Sequence, residues 1–382
     1  MYTIVPADKC TGCGVCYSVC NKDAISMQYD ENGFLFPQVD FSKCVHCDLC
    51  KKACPTFKEP NFNENTQEAF CTYNKDSLIL KESTSGGVFT SLAKYVLKQD
   101  GVVYGVEMKA IEAIHICIEK EEDLAKLWGS KYIQSVFILH KEIEKILKED
   151  RLVLFSGTPC QIDGLRHFLK NDYANLITCE VACYGVGSKR IFDDYLKQLI
   201  SKNNKPTNIY FRKKTGKHKP SSFVLEFDDY KSIELPSYYN YFGYLFSKHL
   251  ICRESCLDCR YSDKKRVADF SLGDYSEPDI ASYPKKVVKN GLSLFVVNTE
   301  KGKEILSKLD DLVNDKKNYD LIKSGAFNKR NVLKRDREEF FIEYNSIGIE
   351  KSLEKYKIII KKELLANKKN KVKNKIKSLL MK

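Results

Sequence analysis

The sequence predicts an α/β protein in three parts: a small N-terminal α+β module, a larger domain built on a mostly parallel or mixed sheet, and a basic helical tail. Three observations support this organisation. Cysteines crowd residues 10–54, strand-like and helix-like segments alternate through the middle of the chain, and lysines dominate its end. At 382 residues the chain exceeds what one hydrophobic core usually fills, which favours several domains.

The N-terminal module, predicted over residues 1–58, is defined by a repeated cysteine pattern with spacings of two, two and three residues between cysteines. The first run comprises Cys10, Cys13, Cys16 and Cys20, and the second comprises Cys44, Cys47, Cys50 and Cys54. Three cysteines in one tight loop plus a fourth just beyond suit a cubane iron-sulfur cluster, whereas zinc ribbons usually supply two separated pairs. Residues 24–39, between the runs, predict a strand, a turn and a second strand.

In a two-cluster arrangement of this kind, the fourth cysteine of each run ligates the other cluster. We therefore predict two 4Fe-4S clusters with exchanged fourth ligands. The first cluster is expected on Cys10, Cys13, Cys16 and Cys54, and the second on Cys44, Cys47, Cys50 and Cys20.

The middle of the chain is predicted as one domain over residues 66–345, with parts at about 66–150 and 151–345. Segments such as "GVVYGVEM" and "RLVLFSGTPC" read as apolar strands, and a helix is expected from about Gln161 to Leu169. Strands that alternate with helices favour a largely parallel sheet, which binds ligands at the carboxyl ends of its strands. Cys160 and Cys183 are both expected to emerge at that edge.

A third cysteine group and a glycine pair mark further candidate sites. Cys252, Cys256 and Cys259 are too few to close a metal site, so Cys160 or Cys183 is expected to complete a third 4Fe-4S cluster. A zinc knuckle and a set of free thiols are the alternatives. The segment "STSGG", residues 83–87, stands at a strand-to-helix turn that suits either an anion such as phosphate or an ordinary capped helix start.

The charge is concentrated at the end of the chain. Residues 351–382 contain twelve lysines and two glutamates, which accounts for most of the net charge of +12. Apolar residues recur at helical spacing among these lysines, so we predict a basic amphipathic helix over residues 350–382. It could contact anionic lipid, dock on a partner, or be a solvated extension. A second basic segment, "FRKKTGKHKP", is expected to be a solvated hairpin tip, with a loop that receives an anionic substrate or an acidic partner protein as its alternative.

The composition favours a cytoplasmic protein. No signal-peptide pattern and no long apolar run is visible in the sequence. Thiols are kept reduced in the cytoplasm, so sixteen cysteines point to metal or redox chemistry and not to disulfides. The basic tail makes the inner membrane face a candidate peripheral location, and no specific nucleic-acid partner is expected.

Several motifs, in order, resemble the beta subunit of coenzyme F420 hydrogenase and its dehydrogenase relatives. They are "STSGGVFTSLA", "VVYG", "GSKYIQS", "LFSGTPCQIDGL", "CYGVGS" and "CRESCLDCRY" followed by "ADFSLGDY". The resemblance extends from about Cys10 to Asp274. It implies an oxidoreductase in which FAD exchanges electrons with iron-sulfur clusters and, in the best-known members, a hydride with a deazaflavin.

The resemblance also implies positions for the flavin. The phosphates are expected beside Ser85, Gly86 and Gly87. Residues expected to line the flavin are Ser130, Lys131, Tyr132 and Gln134. Residues expected near the flavin ring or an inner cluster are Thr158, Pro159, Cys160 and Gln161.

This sequence departs from the family pattern on the expected substrate side. Tyr184 replaces a histidine, Gly187 a proline, Ala268 a glycine and Ser276 an aromatic residue, which makes coenzyme F420 a doubtful substrate. We predict an iron-sulfur flavoprotein that passes electrons between a ferredoxin-like or other one-electron partner and a two-electron substrate. The alternatives are a non-catalytic electron-transfer subunit feeding a partner enzyme, and a redox enzyme of polysaccharide metabolism that does not use F420.

Overall fold

The structure is a computed structural model that describes residues 4–63, 67–200, 205–218, 220–228, 230–323, 327 and 333–380. Side chains are described as far as residue 367. The apolar residues Val372, Ile376 and Leu380 of the predicted amphipathic tail therefore lie outside the described side chains.

Thirteen strands and twelve α-helices are present in the described residues. The strands are β1 Ile25–Tyr29, β2 Leu35–Val39, β3 Glu68–Asn74, β4 Val102–Lys109, β5 Glu112–Ile118, β6 Val153–Gly157, β7 Leu176–Val181, β8 Asn208–Lys213, β9 Ser222–Glu226, β10 Ser232–Pro236, β11 Phe270–Asp274, β12 Ser293–Val297 and β13 Leu312–Lys317. The helices are α1 Val15–Ser18, α2 Leu49–Ala53, α3 Ser77–Glu82, α4 Val88–Leu97, α5 Leu124–Leu127, α6 His140–Lys148, α7 Pro159–Leu169, α8 Lys189–Leu199, α9 Tyr241–Ser247, α10 Lys285–Asn290, α11 Glu300–Leu306 and α12 Lys334–Leu380.

An eight-stranded mixed sheet forms the centre of the larger domain, which confirms the predicted fold class. Its strand order is β13-β3-β12-β11-β7-β6-β4-β5. The pairs β4–β6, β6–β7 and β7–β11 are parallel, and the outer pairs are antiparallel. The parallel strands β6, β7 and β11 therefore end at the same edge of the sheet, which is where such sheets bind ligands.

The central sheet is covered on both faces because successive side chains of its strands point in opposite directions. On β4, Val102 and Tyr104 pack into the core that contains α6 and α7, whereas Val103 packs against α4. On β6, Phe155 packs into the core that contains α6 and α7, and Leu154 packs into the core that contains α4. All five residues are fully buried, which explains why these segments read as continuous apolar runs.

The N-terminal module has the predicted strand, turn and strand, since β1 and β2 form an antiparallel pair. Short helices α1 and α2 contain the third cysteine of each run, Cys16 and Cys50. The module packs against α6 and α7 of the larger domain. It is therefore docked on the larger domain and does not stand apart from it.

The basic segment 211–220 is the expected hairpin between β8 and β9 of a separate three-stranded sheet, and Thr215, Gly216 and Lys217 at its tip are exposed. Two basic side chains nearer its base are not solvated as expected, because they reach the carboxyl edge of the central sheet. Arg212 donates to Asp274 at the end of β11 across 2.7 Å. Lys214 donates to the carbonyls of Leu80 and Ser85. These acceptors come from distant segments, so the sequence pattern alone could not reveal them.

The C-terminal helix α12 is interrupted at Gly348, where the backbone has a φ of 73°. Between this kink and residue 367, apolar side chains of the helix pack against the rest of the protein. The membrane-contact alternative would require these side chains to be exposed. Tyr356 and Ile360 are buried in the core formed with α8 and α9, and Leu353 and Leu364 pack against the same core. No helix in the described part of the chain is long and apolar enough to span a bilayer.

Tyr356→Ala tests the packing of the tail. Tyr356 contacts the rings of Tyr241, Tyr244 and Phe340, so we expect its truncation to lower the free energy of unfolding by about 3 kcal/mol. The matched control is Ile358→Ala on the same helix, because Ile358 is 57% exposed and should change stability by less than about 0.5 kcal/mol. Anaerobic urea denaturation followed by circular dichroism measures both, and equal effects would contradict the observed packing.

Candidate functional site

Three groups of four cysteines are candidate metal centres, and the first lies deepest in the N-terminal module. Cys10, Cys13, Cys16 and Cys54 line one cavity together with Gly12, Gly14 and apolar residues of the module. The fourth thiol comes from the second cysteine run, as the exchanged-ligand prediction requires. All four residues are buried. Four thiols from two segments around one cavity are the donor set that a 4Fe-4S cluster needs.

The second group, Cys20, Cys44, Cys47 and Cys50, lies nearer the surface. Cys47 is exposed, and the thiol of Cys50 interacts electrostatically with those of Cys44 and Cys47. Cys20 accepts a hydrogen bond from the amide of Ala24 across 3.4 Å. Cys20 and Cys50 pack in one apolar cluster with Cys16. The second group therefore adjoins the first through Cys16.

The third group combines cysteines from three separate segments. Cys160 lies in the first turn of α7, just after β6, and Cys183 follows β7. Cys256 and Cys259 come from the "CRESCLDC" segment. The thiol of Cys160 interacts electrostatically with those of Cys183, Cys256 and Cys259. The sequence predicted that either Cys160 or Cys183 completes the third site. In the structure, both lie near Cys256 and Cys259.

Cys252, the fifth candidate of the third site, has different surroundings. It is fully buried, and its Sγ lies 3.6 Å from Nδ1 of His249. Four thiols are the number that a 4Fe-4S cluster needs, and the third group has four without Cys252. The sequence could not separate Cys256 from Cys252 because both belong to the same eight-residue segment.

Hydrogen bonds to sulfur are already in place in the third group. The hydroxyl of Thr158 lies 3.1 Å from Sγ of Cys160, and the amide of Gly185 donates to Sγ of Cys183 across 3.4 Å. Hydrogen bonds to cluster sulfurs adjust the reduction potential of such sites. Thr158 also caps α7 with Gln161, so the same turn that starts the helix orients Cys160.

The thiols are held in surroundings that disfavour their charged form. The pKa values of Cys13 and of Cys256 are raised to about 12, chiefly by burial and in smaller part by neighbouring cysteines. Metal binding must therefore displace protons from these groups. The described residues contain no group of three or more His, Cys, Asp or Glu side chains spaced to hold a single metal ion. A cubane differs because each cysteine binds a different iron.

Helix α7 connects the first and third groups. Cys160 stands in its first turn, and Gly164 stands one turn later against the N-terminal module. A Cβ atom at position 164 would lie 3.0 Å from Sγ of Cys13. One helical turn, about 5.4 Å of rise, therefore separates the contact to the first group from a residue of the third.

Close contacts fix the N-terminal module on the larger domain. Gly14 has a φ of 79°, and a Cβ atom there would collide with the carbonyl of Phe137. Ser18 and His140 form a buried hydrogen bond of 2.9 Å between the hydroxyl and Nδ1. Burial lowers the pKa of His140 to about 3, so its ring stays neutral and the contact is independent of charge near neutral pH.

Arg253 and Gln134 also join the two parts of the chain. The Arg253 guanidinium donates to the carbonyls of Cys10 and Leu35 and to Oε1 of Gln134. Gln134 in turn donates through Nε2 to the carbonyl of Gly12 across 3.3 Å. Gln134 is 3% exposed, and its amide serves the contact with the module. Arg253 was missed because nothing in its local sequence signals a distant partner.

The other segments expected to bind the flavin are adjacent in the structure. The hydroxyl of Ser130 lies 3.5 Å from that of Thr84, next to Ser85. At the other end of the same segment, Gln161 donates to Ser135 across 3.0 Å. The segment "GSKYIQS" therefore connects the "STSGG" turn with the start of α7 and the third cysteine group.

Several polar groups in this region already have partners. The hydroxyl of Ser85 donates to the carbonyl of Leu292, and the amide of Gly86 donates to Ser293. A Cβ atom at position 86 would collide with the carbonyl of Thr72, so close packing alone requires this glycine. Gly87 is the N-cap of α4 in the left-handed conformation. These contacts favour the capped helix start over direct phosphate binding by Ser85 and Gly86.

Other groups in the same region fit a polar or anionic ligand. Among the described residues, the buried indole nitrogen of Trp128 and Nε of Arg212 have no hydrogen-bond partner. Lys131 donates to the carbonyls of Leu127 and Trp128, and burial lowers its pKa to about 7. The Tyr132 ring stacks on Phe246 at 4.7 Å. Pro159 is buried in the first turn of α7.

Family models match three parts of the chain. The N-terminal and C-terminal models of the coenzyme F420 hydrogenase/dehydrogenase beta subunit match residues 69–139 and 150–317. A model of the 4Fe-4S dicluster domain matches residues 9–57. These are families of iron-sulfur electron-transfer oxidoreductases.

Two curated proteins of Methanocaldococcus jannaschii are similar to the chain. A coenzyme F420-dependent sulfite reductase is 28% identical over 317 residues, which cover 80% of this chain and 47% of that protein. The chain therefore spans about half the length of this relative. An uncharacterized ferredoxin is 43% identical over 53 residues, covering 14% of this chain and 68% of the ferredoxin.

A solved structure also matches the chain. It is a chain in the F420-reducing NiFe hydrogenase complex from Methanosarcina barkeri, with a TM-score of 0.45 and 18% identity, covering 73% of this chain and 89% of that chain.

The two models of the beta subunit together match more than half of the residues. The chain therefore belongs to the coenzyme F420 hydrogenase/dehydrogenase beta subunit family and carries an N-terminal 4Fe-4S dicluster domain.

Proposed function

We propose that this chain is an iron-sulfur flavoprotein oxidoreductase with three 4Fe-4S clusters and FAD. It passes electrons between an external one-electron carrier and a two-electron substrate. One observation carries the proposal: the thiols of Cys160, Cys183, Cys256 and Cys259 converge at the ligand-binding edge of the central sheet, one helical turn from the contact with Cys13.

The chemistry requires several cofactors in series. When bound, the clusters carry single electrons, and a flavin joins single-electron transfer to the two-electron chemistry of a hydride. The residues of the chain hold these groups close together and exclude water. At the first cluster, the burial of Cys10, Cys13 and Cys54 excludes water. Ser130, Lys131, Tyr132, Thr158 and Gln161 are the candidates that position the flavin beside the third.

The N-terminal module offers a surface for the external carrier. Cys47 is exposed, and large apolar side chains around the second cysteine group are exposed with it. They are Phe41 at 53%, Val45 at 58% and Leu49 at 38%. Apolar side chains exposed around a redox centre are suited to transient docking of a protein partner. Cys20, Cys44, Cys47 and Cys50 would therefore hold the cluster that faces the carrier, and the buried Cys10, Cys13, Cys16 and Cys54 would hold the cluster that faces the larger domain.

An electron-transfer subunit that feeds a separate enzyme is the second candidate function. The family is named for a subunit, and the departures at Tyr184, Gly187, Ala268 and Ser276 fall on the expected substrate side. Tyr184 stacks on the ring of His249 at 4.6 Å, near the third cysteine group. Turnover of an artificial dye by the isolated chain distinguishes an enzyme, which turns over, from a bare electron carrier, which does not.

The first experiment is quantification of iron, sulfide, zinc and flavin in protein purified without oxygen. We expect about twelve irons and one flavin per chain. About eight irons would remove the third cluster from the proposal. Zinc without sulfide or flavin would contradict the proposal as a whole.

Cys256→Ala and Cys252→Ala form a matched pair that tests the third site. The first substitution removes a thiol of the converging group, so we expect the iron content to fall by about four atoms per chain. The second removes a buried thiol beside His249 and should leave the iron content unchanged. Iron analysis and electron paramagnetic resonance of the reduced proteins measure both. The reverse result would assign Cys252 to the cluster.

Gly164→Val tests the contact between α7 and the first site. A side chain at position 164 would displace Cys13, so we expect the loss of about four irons per chain although valine is compatible with a helix. The control is Gly302→Ala in α11, whose Cβ atom would meet Val297 and Asp269 instead of a cysteine. Full iron content in the Gly164 variant would show that the first cluster does not depend on this contact.

A further inference from the structure

Arg253 occupies a position between the first and third cysteine groups. Its chain segment carries Cys256, but its side chain enters the N-terminal module and is only 1% exposed. Nε donates to the carbonyl of Cys10 across 2.6 Å, and Nη1 donates to the carbonyl of Leu35 across 2.8 Å. The guanidinium lies 4.0 Å from the centre of the Phe36 ring. The side chain is therefore held rigidly beside a residue of the first group.

The charge of Arg253 is not balanced by a hydrogen-bonded carboxylate. Within the described part of the chain, its acceptors are two backbone carbonyls and the amide oxygen of Gln134, none of which is charged. Its remaining nitrogen, Nη2, is buried there without a hydrogen-bond partner. Burying an unpaired cation costs several kcal/mol, so a position of this kind calls for a negative group nearby.

Two thiolate sites supply that negative charge. Four thiolates around a 4Fe-4S core leave a net negative charge, and each added electron increases it. Arg253 contacts the backbone of Cys10 in the first group. Its backbone carbonyl accepts a hydrogen bond from the amide of Cys256 in the third group across 2.9 Å. One buried cation thus lies between a residue of the first group and a residue of the third.

We infer that Arg253 is a positioning residue that serves as the shared buried counter-ion of the first and third clusters and fixes their separation. This inference rests on the proposed function. A cation favours the reduced, more negative state of a nearby cluster, so Arg253 raises the reduction potentials of both. It also keeps the two sites at a constant distance, because its hydrogen bonds join the Cys10 loop to the segment that carries Cys256.

The test is a redox titration of the full-length protein, purified without oxygen and followed by electron paramagnetic resonance. We expect Arg253→Met to make reduction of the two clusters about tenfold less favourable, which is a midpoint about 59 mV lower for one electron. Arg253→Lys keeps the charge and should remain within about threefold of the unchanged protein. Iron content per chain is measured on every variant.

A second variant tests the charge without removing the arginine. Gln134→Glu places a carboxylate beside Nη1, where the amide oxygen now accepts across 3.0 Å. The new carboxylate neutralises the guanidinium, so the midpoints should fall as they do in Arg253→Met. If Arg253→Met does not retain its clusters, the midpoints of Gln134→Glu test the role of Arg253 instead.

Arg260→Met is the matched control. Arg260 belongs to the same segment and also donates to carbonyls of the N-terminal module, those of Pro55 and Lys58. Arg260 lies close enough to Cys54 for its charge to act on the thiol, but its side chain is 32% exposed and pairs with Glu59, so solvent and the carboxylate weaken that effect. We expect a change of less than about threefold. A change as large as that of Arg253→Met would overturn the inference by showing a general effect of loosened docking.

Two other outcomes are decisive. Unchanged midpoints in both Arg253→Met and Gln134→Glu would overturn the role of Arg253 while leaving the three-cluster function intact. A protein with about eight irons would instead contradict the three-cluster function. The effect of Arg253 on the N-terminal clusters could still be read from their signals, so the two failures are distinguishable.

Discussion

The contact between Cys13 and Gly164 is the constraint on which the rest of the site depends. Electron transfer between two centres requires a short and constant separation, and the two candidate centres here belong to different parts of the chain, the N-terminal module and the larger domain. A glycine in the middle of α7 lets the ligand loop of the N-terminal module approach the helix backbone. The other contacts between the two parts, such as Ser18 with His140, maintain that approach.

The energetics of the site follow from burial. The cavity of the first group is lined mainly by thiols and apolar side chains, so an empty site favours neutral thiols. Iron reverses this preference because it supplies positive charge at the sulfurs. The interior therefore stabilises the charged sulfurs only when iron is bound, and the buried Arg253 guanidinium beside them donates to backbone carbonyls and an amide, not to a carboxylate.

Much of the fold and part of the site could be predicted from the sequence because the signals are local. The cysteine spacing indicated the exchanged fourth ligand, Cys54, which lies in the cavity with Cys10. The apolar runs indicated β4 and β6. The contributions of Arg253, Arg212 and Gln134 depend on partners more than fifty residues away, and no local pattern specifies such partners. The tail was predicted as amphipathic, but only the structure reveals what covers Tyr356.

The kinked helix α12 has a consequence for the order of events during synthesis. Phe341, before the kink, packs its ring edge-on against Phe34 of the N-terminal module. This contact joins residues about three hundred positions apart, so it forms only after nearly all of the described chain has left the ribosome. Arg253 and α7 also emerge long after the cysteines that they cover. The surroundings of the first cysteine group are therefore completed only after residue 253 has been synthesised.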